Sequence, residues 1–242
     1  MRPAWLTLYL DVAPEEHARA RDFWVGVTGD EPSPVRGASG EFATFLPPHG
    51  DPQLRIQRLE SGPSGVHLDV HVDTAVTDLD AEIDRATGLG ATLVARPGHA
   101  VLRSPGGFPF CLVREQLSNP PAPTRWPDGH RSVVDQLCLD IPPAAYDAEQ
   151  AFWVALLERE PEQRGAEFVR LHGAPWLQVL LQRLHDDGGP VRGHVDLAAD
   201  DRAAEVARIE ALGATTSYVG PEWTTLRPPA GPVLCVTDRE PR

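Results

Sequence analysis

The sequence has no lysine: all 22 of its basic residues are arginine. Schiff-base chemistry on a lysine is therefore excluded, as is any phosphate-cradling loop that depends on one. Positive charge is scarce altogether. Against 35 acidic residues the formal net charge is −13 at pH 7, and no run of arginines forms a local basic face. A nucleic-acid partner is not expected. Long hydrophobic runs are missing too; stretches such as Val133–Val134 and Val179–Leu181 fall far short of the ~20 apolar residues that span a bilayer. The amino terminus reaches Asp11 before the apolar core of a signal peptide has room to form. The three cysteines, Cys111, Cys138 and Cys235, are odd in number and lack CxxC spacing, which argues against a disulfide framework. No HExxH, nucleophile elbow or glycine-rich nucleotide loop occurs. A soluble, cytoplasmic protein with no membrane attachment is the expectation.

What is present is a repetition. Leu8-Tyr9-Leu10-Asp11-Val12 is echoed by Leu137-Cys138-Leu139-Asp140-Ile141, and Phe23-Trp24-Val25 by Phe152-Trp153-Val154. Glu31-Pro32 returns as Glu160-Pro161, Gln57-Arg58-Leu59 as Gln182-Arg183-Leu184, and His67-Leu68-Asp69-Val70 as His194-Val195-Asp196-Leu197. Leu89-Gly90-Ala91-Thr92 reappears unchanged at Leu212-Gly213-Ala214-Thr215, and Leu102-Arg103 with Cys111 recur as Leu226-Arg227 with Cys235. Coincidence does not keep such an order. Two copies are expected, residues 1–115 and 132–242, joined by a Pro-rich linker over 116–131. Each copy opens on an alternating strand, Leu6–Val12 or Gln136–Ile141, followed by an amphipathic helix, Pro14–Val27 or Ala144–Leu157. Short strands follow, then a second strand-helix unit that begins at His67 or His194 and stops at the glycine of LGAT. Three closing strands complete it, so each copy reads as β-α-β-β-β twice over.

That order, together with the phrases LYLDV, FW, QRL, HLDVHVDT, LGAT and VLRSPGGFPFCLV, resembles the glyoxalase-like (vicinal oxygen chelate) superfamily. The second copy carries LCLDI, FWVALL, GHVDLAADD, LGATT and TLRPPAGPVLCV in the same places. The resemblance implies an α+β fold of tandem glyoxalase-like domains, each built from two βαβββ units forming a cupped mixed sheet. It also implies where metal ligands would fall: Thr7 and Gln136 on the opening strands, His67 and His194 on the second, Cys111 and Cys235 on the last. The histidine is kept in both copies, whereas a cysteine stands where the family has glutamate. A catalytic ion wants three protein ligands. No metal is therefore favoured; were a divalent ion bound, Gln136, His194 and Cys235 would be its ligands and zinc its identity.

The bland alternatives are concrete. Cys111 and Cys235, flanked by apolar residues, read as small buried hydrophobes. Asp69 and Asp196, two residues beyond each histidine, share its strand face and read as solvated polarity. Trp24 and Trp153 read as core, while Trp223 and its counterpart His99 are expected at the mouths of the cups, near Arg103 and Arg227. The leading expectation is a metal-independent protein that sequesters, or acts modestly on, a small organic molecule. A metal-dependent lyase, isomerase or dioxygenase is the second reading. A structural protein with vestigial cups is the third, and it would display a large apolar surface patch. Because domains of this type commonly pair, the linker is expected to create an intramolecular pair and leave the chain a monomer.

Overall fold

The computed structural model describes residues 3–73, 75, 77–114, 117–173, 176–186 and 188–242. Four β-α-β-β-β modules follow one another. The first is β1 (Trp5–Val12), α1 (His17–Thr28), β2 (Glu31–Pro32), β3 (Phe42–Leu46) and β4 (Leu54–Arg58). The second is β5 (Gly65–His71), α2 (Leu79–Gly88), β6 (Thr92–Ala95), β7 (Ala100–Arg103) and β8 (Pro109–Val113). After a short β9 (Thr124–Arg125), the third runs through β10 (Arg131–Ile141), α3 (Pro143–Leu157), β11 (Glu160–Arg164), β12 (Phe168–His172) and β13 (Gln178–Arg183). The fourth is β14 (Arg192–Ala199), α4 (Arg202–Ala211), β15 (Thr215–Val219), β16 (Trp223–Arg227) and β17 (Leu234–Thr237). Among the described residues, no helix is long and apolar enough to cross a membrane.

The strands are ordered β2-β3-β4-β1-β5-β8-β7-β6 in one sheet and β11-β12-β13-β10-β14-β17-β16-β15 in the other, where β9 pairs beside β10. Both sheets are mixed, because β5–β8 and β14–β17 run parallel while their hairpin neighbours are antiparallel. The α+β arrangement of two tandem halves is as expected. Sequence periodicity misses β2, β9 and β11, which are short or charged edge pieces with no apolar alternation. Glu31-Pro32 and Glu160-Pro161, noted as an echo, mark two of them.

Local chemistry accounts for the helix ends. Asp201 caps α4, its carboxylate accepting from the Ala204 amide at 3.0 Å. Pro143 occupies the first turn of α3, where its missing N–H costs nothing. The glycines of the LGAT pair, Gly90 and Gly213, adopt φ of 108° and 102°, a left-handed conformation open to glycine at little cost. The helix expected from Pro14 starts at His17, since residues 14–16 form a turn closed by the Glu16 amide on Ala13 O.

Two compact units emerge, each drawing one module from either copy. Unit 1 comprises Met1–Leu8, His67–Ser118 and Leu137–Gly193; unit 2 comprises Tyr9–Val66, Asn119–Gln136 and His194–Arg242. The expected boundary between Glu115 and Gln116 lies outside the described residues. In unit 1, Phe110 packs against Trp153 at 5.4 Å and Phe152 at 5.6 Å between ring centroids, all buried. Arg85 there ties α2 to α3, donating to Ala155 O and Leu156 O at 3.0 Å each while Glu82 holds its Nε. Unit 2 repeats the device: Arg208, held by Glu205, donates to Gly26 O at 2.6 Å and Val27 O at 2.8 Å. The orphan carbonyls at a helix C-terminus are satisfied in both cases by one guanidinium.

Candidate functional site

In the second half the candidate site is built on two parallel strands. His194 and Asp196 lie two residues apart on β14, so both project from one face. Cys235 on β17 is the register partner of Asp196. One ligating atom from each of the three lies within 4.8 Å of the others. Asp196 is 3% exposed and Cys235 4%. Gln136, fully buried, donates from Nε2 to Asp196 Oδ2 at 2.5 Å. The other ends of this pair, Gln136 Oε1 and Asp196 Oδ1, are buried without a hydrogen-bond partner among the described residues. Asp196 Oδ1 is nonetheless 3.3 Å from His194 Nε2. The two are near enough for an ion pair but not aligned as donor and acceptor.

The first half repeats the arrangement with different surroundings. His67 and Asp69 on β5 meet Cys111 on β8, again the register partner of the aspartate. His67 Nε2 is 3.6 Å from Asp69 Oδ1. Burial pushes the Cys111 thiol up, and Asp69 adds to this while His67 opposes it. Thr7 does not join the cluster; its hydroxyl hydrogen-bonds His71 Nε2 at 2.8 Å, both side chains fully buried. His71, two positions beyond Asp69, is a site-face residue that sequence reading passed over. The phrase HLDVH held the signal, since alternate residues share a face.

This corrects the reading of the aspartates. Solvated strand polarity is excluded for Asp69 and Asp196, because both are buried beside the histidine and the cysteine. Each cluster thus contains a carboxylate, carried by β5 or β14 and not by the last strand. The cysteines are buried, as expected, and free of disulfides. They nevertheless sit among polar groups rather than in an apolar core. Bond lengths of about 2.0–2.3 Å to N, O and S ligands imply donor separations of roughly 3.3–3.8 Å around a tetrahedral ion. The His–Asp separations of 3.3 and 3.6 Å fall in that range. With each cysteine sulfur within 4.8 Å of both, the residue types and the His–Asp spacing suit a divalent ion.

The remaining candidates flank these clusters. Trp223, half-buried, packs tilted against Tyr218 with ring centroids 5.7 Å apart and is the register partner of Thr237. Thr225, two residues on, is the partner of Cys235, and the exposed Arg227 follows on the same face. In the first half Arg103, exposed, donates to Gly107 O at 2.9 Å and closes the turn before β8. His99 is half-buried just ahead of β7. A small cavity of about 30 Å³ lies elsewhere in unit 2, lined by Thr28, Asp30, Gln53, Thr124, Ser132 and Val134 among others; none of the ten candidates lines it. Burial raises Asp30 to about 6, against a lowering contribution from Thr28.

Sequence reading also passed over a buried ionic cluster in unit 2. His130 bonds Asp128 through Nδ1 at 2.6 Å and Glu205 through Nε2 at 2.8 Å. Glu205 further accepts from Ser132 at 2.8 Å and from Arg208, whose guanidinium lies 3.4 Å from the Trp126 ring centroid. Burial by itself lowers His130, but the hydrogen bonds and charges of Glu205 and Asp128 outweigh it and hold the imidazole above its usual 6.5.

A glyoxalase-like domain profile matches residues 7–113 and 136–237, more than half of the chain. No curated protein sequence matches it. Among solved structures, the Mn(II)-bound glyoxalase from Novosphingobium aromaticivorans is similar at 17% identity and TM-score 0.72, over 99% of this chain and 84% of that one. An extradiol ring-cleaving dioxygenase from B. fuscum is similar at 13% identity and TM-score 0.68, over 100% and 73%. The 2,2',3-trihydroxybiphenyl 1,2-dioxygenase from Sphingomonas wittichii follows at 14% identity and TM-score 0.66, over 98% and 90%. At these identities the likeness carries the fold alone. With four βαβββ modules, paired His-Asp-Cys clusters and a profile match across both copies, the chain belongs to the glyoxalase-like domain family of the vicinal oxygen chelate superfamily.

Proposed function

We propose that the chain binds a small organic molecule at a divalent ion held in its second half by His194, Asp196 and Cys235. The carrying observation is Asp196 Oδ1, buried, 3.3 Å from His194 Nε2 and without a hydrogen bond. A buried carboxylate oxygen so close to an imidazole gains free energy by accepting its proton. An imidazole nitrogen and a carboxylate oxygen at this separation suit a pair of ligands to one ion. Gln136 fixes the carboxylate through Oδ2 and presents Oε1 as a further oxygen. A set of imidazole, carboxylate and thiolate favours zinc, and zinc is the ion we propose. When bound, such an ion polarises a carbonyl or hydroxyl oxygen of the ligand and lowers the pKa of a coordinated water.

The chain's own residues supply orientation. Trp223 and Arg227 flank Thr225 at about 7 Å along the strand on either side, offering an apolar ring and a cation on one face. That pairing suits a planar, anionic ligand. The reaction class is isomerase or lyase chemistry on an oxygen-bearing metabolite, since zinc has no redox chemistry of its own. For the first half we propose a cup without a resident ion, as the sequence suggested; Thr7 there bonds His71 and stands outside the His67-Asp69-Cys111 cluster. The copies themselves, residues 1–115 and 132–242 with 116–131 between them, are proposed as one monomeric protein.

The test is elemental analysis of protein purified without chelator, wild type beside Asp196→Asn and Cys235→Ala. About one equivalent of zinc, lost in both variants, is the expected result. A wild-type protein that stays empty after incubation with zinc sinks the ion site and returns the metal-independent sequestering cup to first place.

A further inference from the structure

The two halves present the same three donors yet differ in what faces the sulfur from the neighbouring antiparallel strand. Across β7–β8 the register partner of Cys111 is Val101. Across β16–β17 the partner of Cys235 is Thr225, and the Thr225 hydroxyl lies 3.3 Å from Cys235 Sγ. Register partners share a sheet face, so the difference bears directly on the sulfur. A coordinating thiolate carries no proton, which leaves the hydroxyl as the donor of this bond.

We propose that Thr225 is the positioning residue that decides which half holds the ion: its hydroxyl donates to Cys235 Sγ, and Val101 offers Cys111 nothing equivalent. This rests on the ion site proposed above. Four observations converge on it. Cys235 is buried, so water does not replace a lost donor; the hydrogen bond is in place; the register is unshifted at this pair; and the equivalent position in the first half is aliphatic. A donor to a ligand sulfur fixes the sulfur and spreads its charge, and loss of such partners typically lowers metal affinity about 10–100-fold. The second difference between the halves, Gln136 in place of Thr7, acts on the carboxylate and not on the sulfur. The two contributions are therefore separable by substitution.

The experiment is a zinc titration in competition with a chromophoric chelator, on wild type, Thr225→Val, Thr225→Ser and Val101→Thr. It is paired with the absorption spectrum of the cobalt(II)-substituted proteins, whose sulfur-to-metal charge-transfer band reports the thiolate bond independently of any turnover. Thr225→Val is expected to bind at least about 10-fold more weakly with a displaced band, and Thr225→Ser to return most of the affinity. Val101→Thr is expected to strengthen uptake in the first half. Wild type without zinc overturns the ion site and this inference together. Wild type with zinc, and a Thr225→Val protein of equal affinity and unchanged band, overturns the role of Thr225 alone. Should Thr225→Val fail to fold, Val101→Thr decides: no gain in uptake at the first half overturns the inference.

Discussion

Replacing His130 by alanine is expected to destabilise the protein by about 2–4 kcal/mol in mild acid and by less in alkali. The imidazole is 4% exposed and bridges Asp128 and Glu205. Its bond to the fully buried Glu205 is charge-assisted and contributes about 1.5–3 kcal/mol. The bond to Asp128, whose side chain is 57% exposed, adds at most about 1 kcal/mol. Glu205 keeps Arg208 and Ser132 in the variant, so no stranded carboxylate enlarges the loss. The pH dependence follows from the raised folded-state value. Below about 6.5 the imidazole is charged in both folded and unfolded chains and the stabilisation is complete; it is lost as pH rises through the folded value. A neutral ring donates from one nitrogen, so one carboxylate then loses its partner. Urea unfolding of wild type and His130→Ala at about pH 5.5 and about pH 8.5, at constant ionic strength, measures the gap at both ends. A gap that stays constant or widens in alkali refutes the reasoning.

Asp30→Asn is expected to stabilise the protein at neutral pH, the opposite sign from most polar losses. The folded carboxyl titrates at about 6 against 3.8, so its stabilisation is present below 3.8 and gone above 6. The shift caps the gain near 3 kcal/mol, and partial exposure reduces it to about 1–2 kcal/mol, read as a rise in Tm at pH 7.5 that vanishes near pH 4. Phe110→Ala removes a fully buried ring from the contacts with Phe152 and Trp153 and is expected to cost about 3–5 kcal/mol in chemical denaturation.

Much of this protein was written locally. The order and type of the long elements follow from alternation in LYLDV and LCLDI, from helical spacing around the two Phe-Trp pairs, and from the glycine of LGAT. The repeat itself set the four-module count. His67, His194, Cys111 and Cys235 were named as candidates by the family resemblance, and they recur in step in the two copies. Other features needed the third dimension. Whether Asp69 and Asp196 are solvated or buried depends on which sheet face is covered, and alternation alone says nothing about that. Their pairing with Cys111 and Cys235 is a register fact, decided by how β5 meets β8 and β14 meets β17. The His130–Glu205 contact joins residues 75 positions apart, with no local pattern to announce it. Sequence determined the order and type of the long elements, because these arise from neighbouring residues. Tertiary structure decided the donor sets, because a site is made by side chains that meet across strands far apart in the chain.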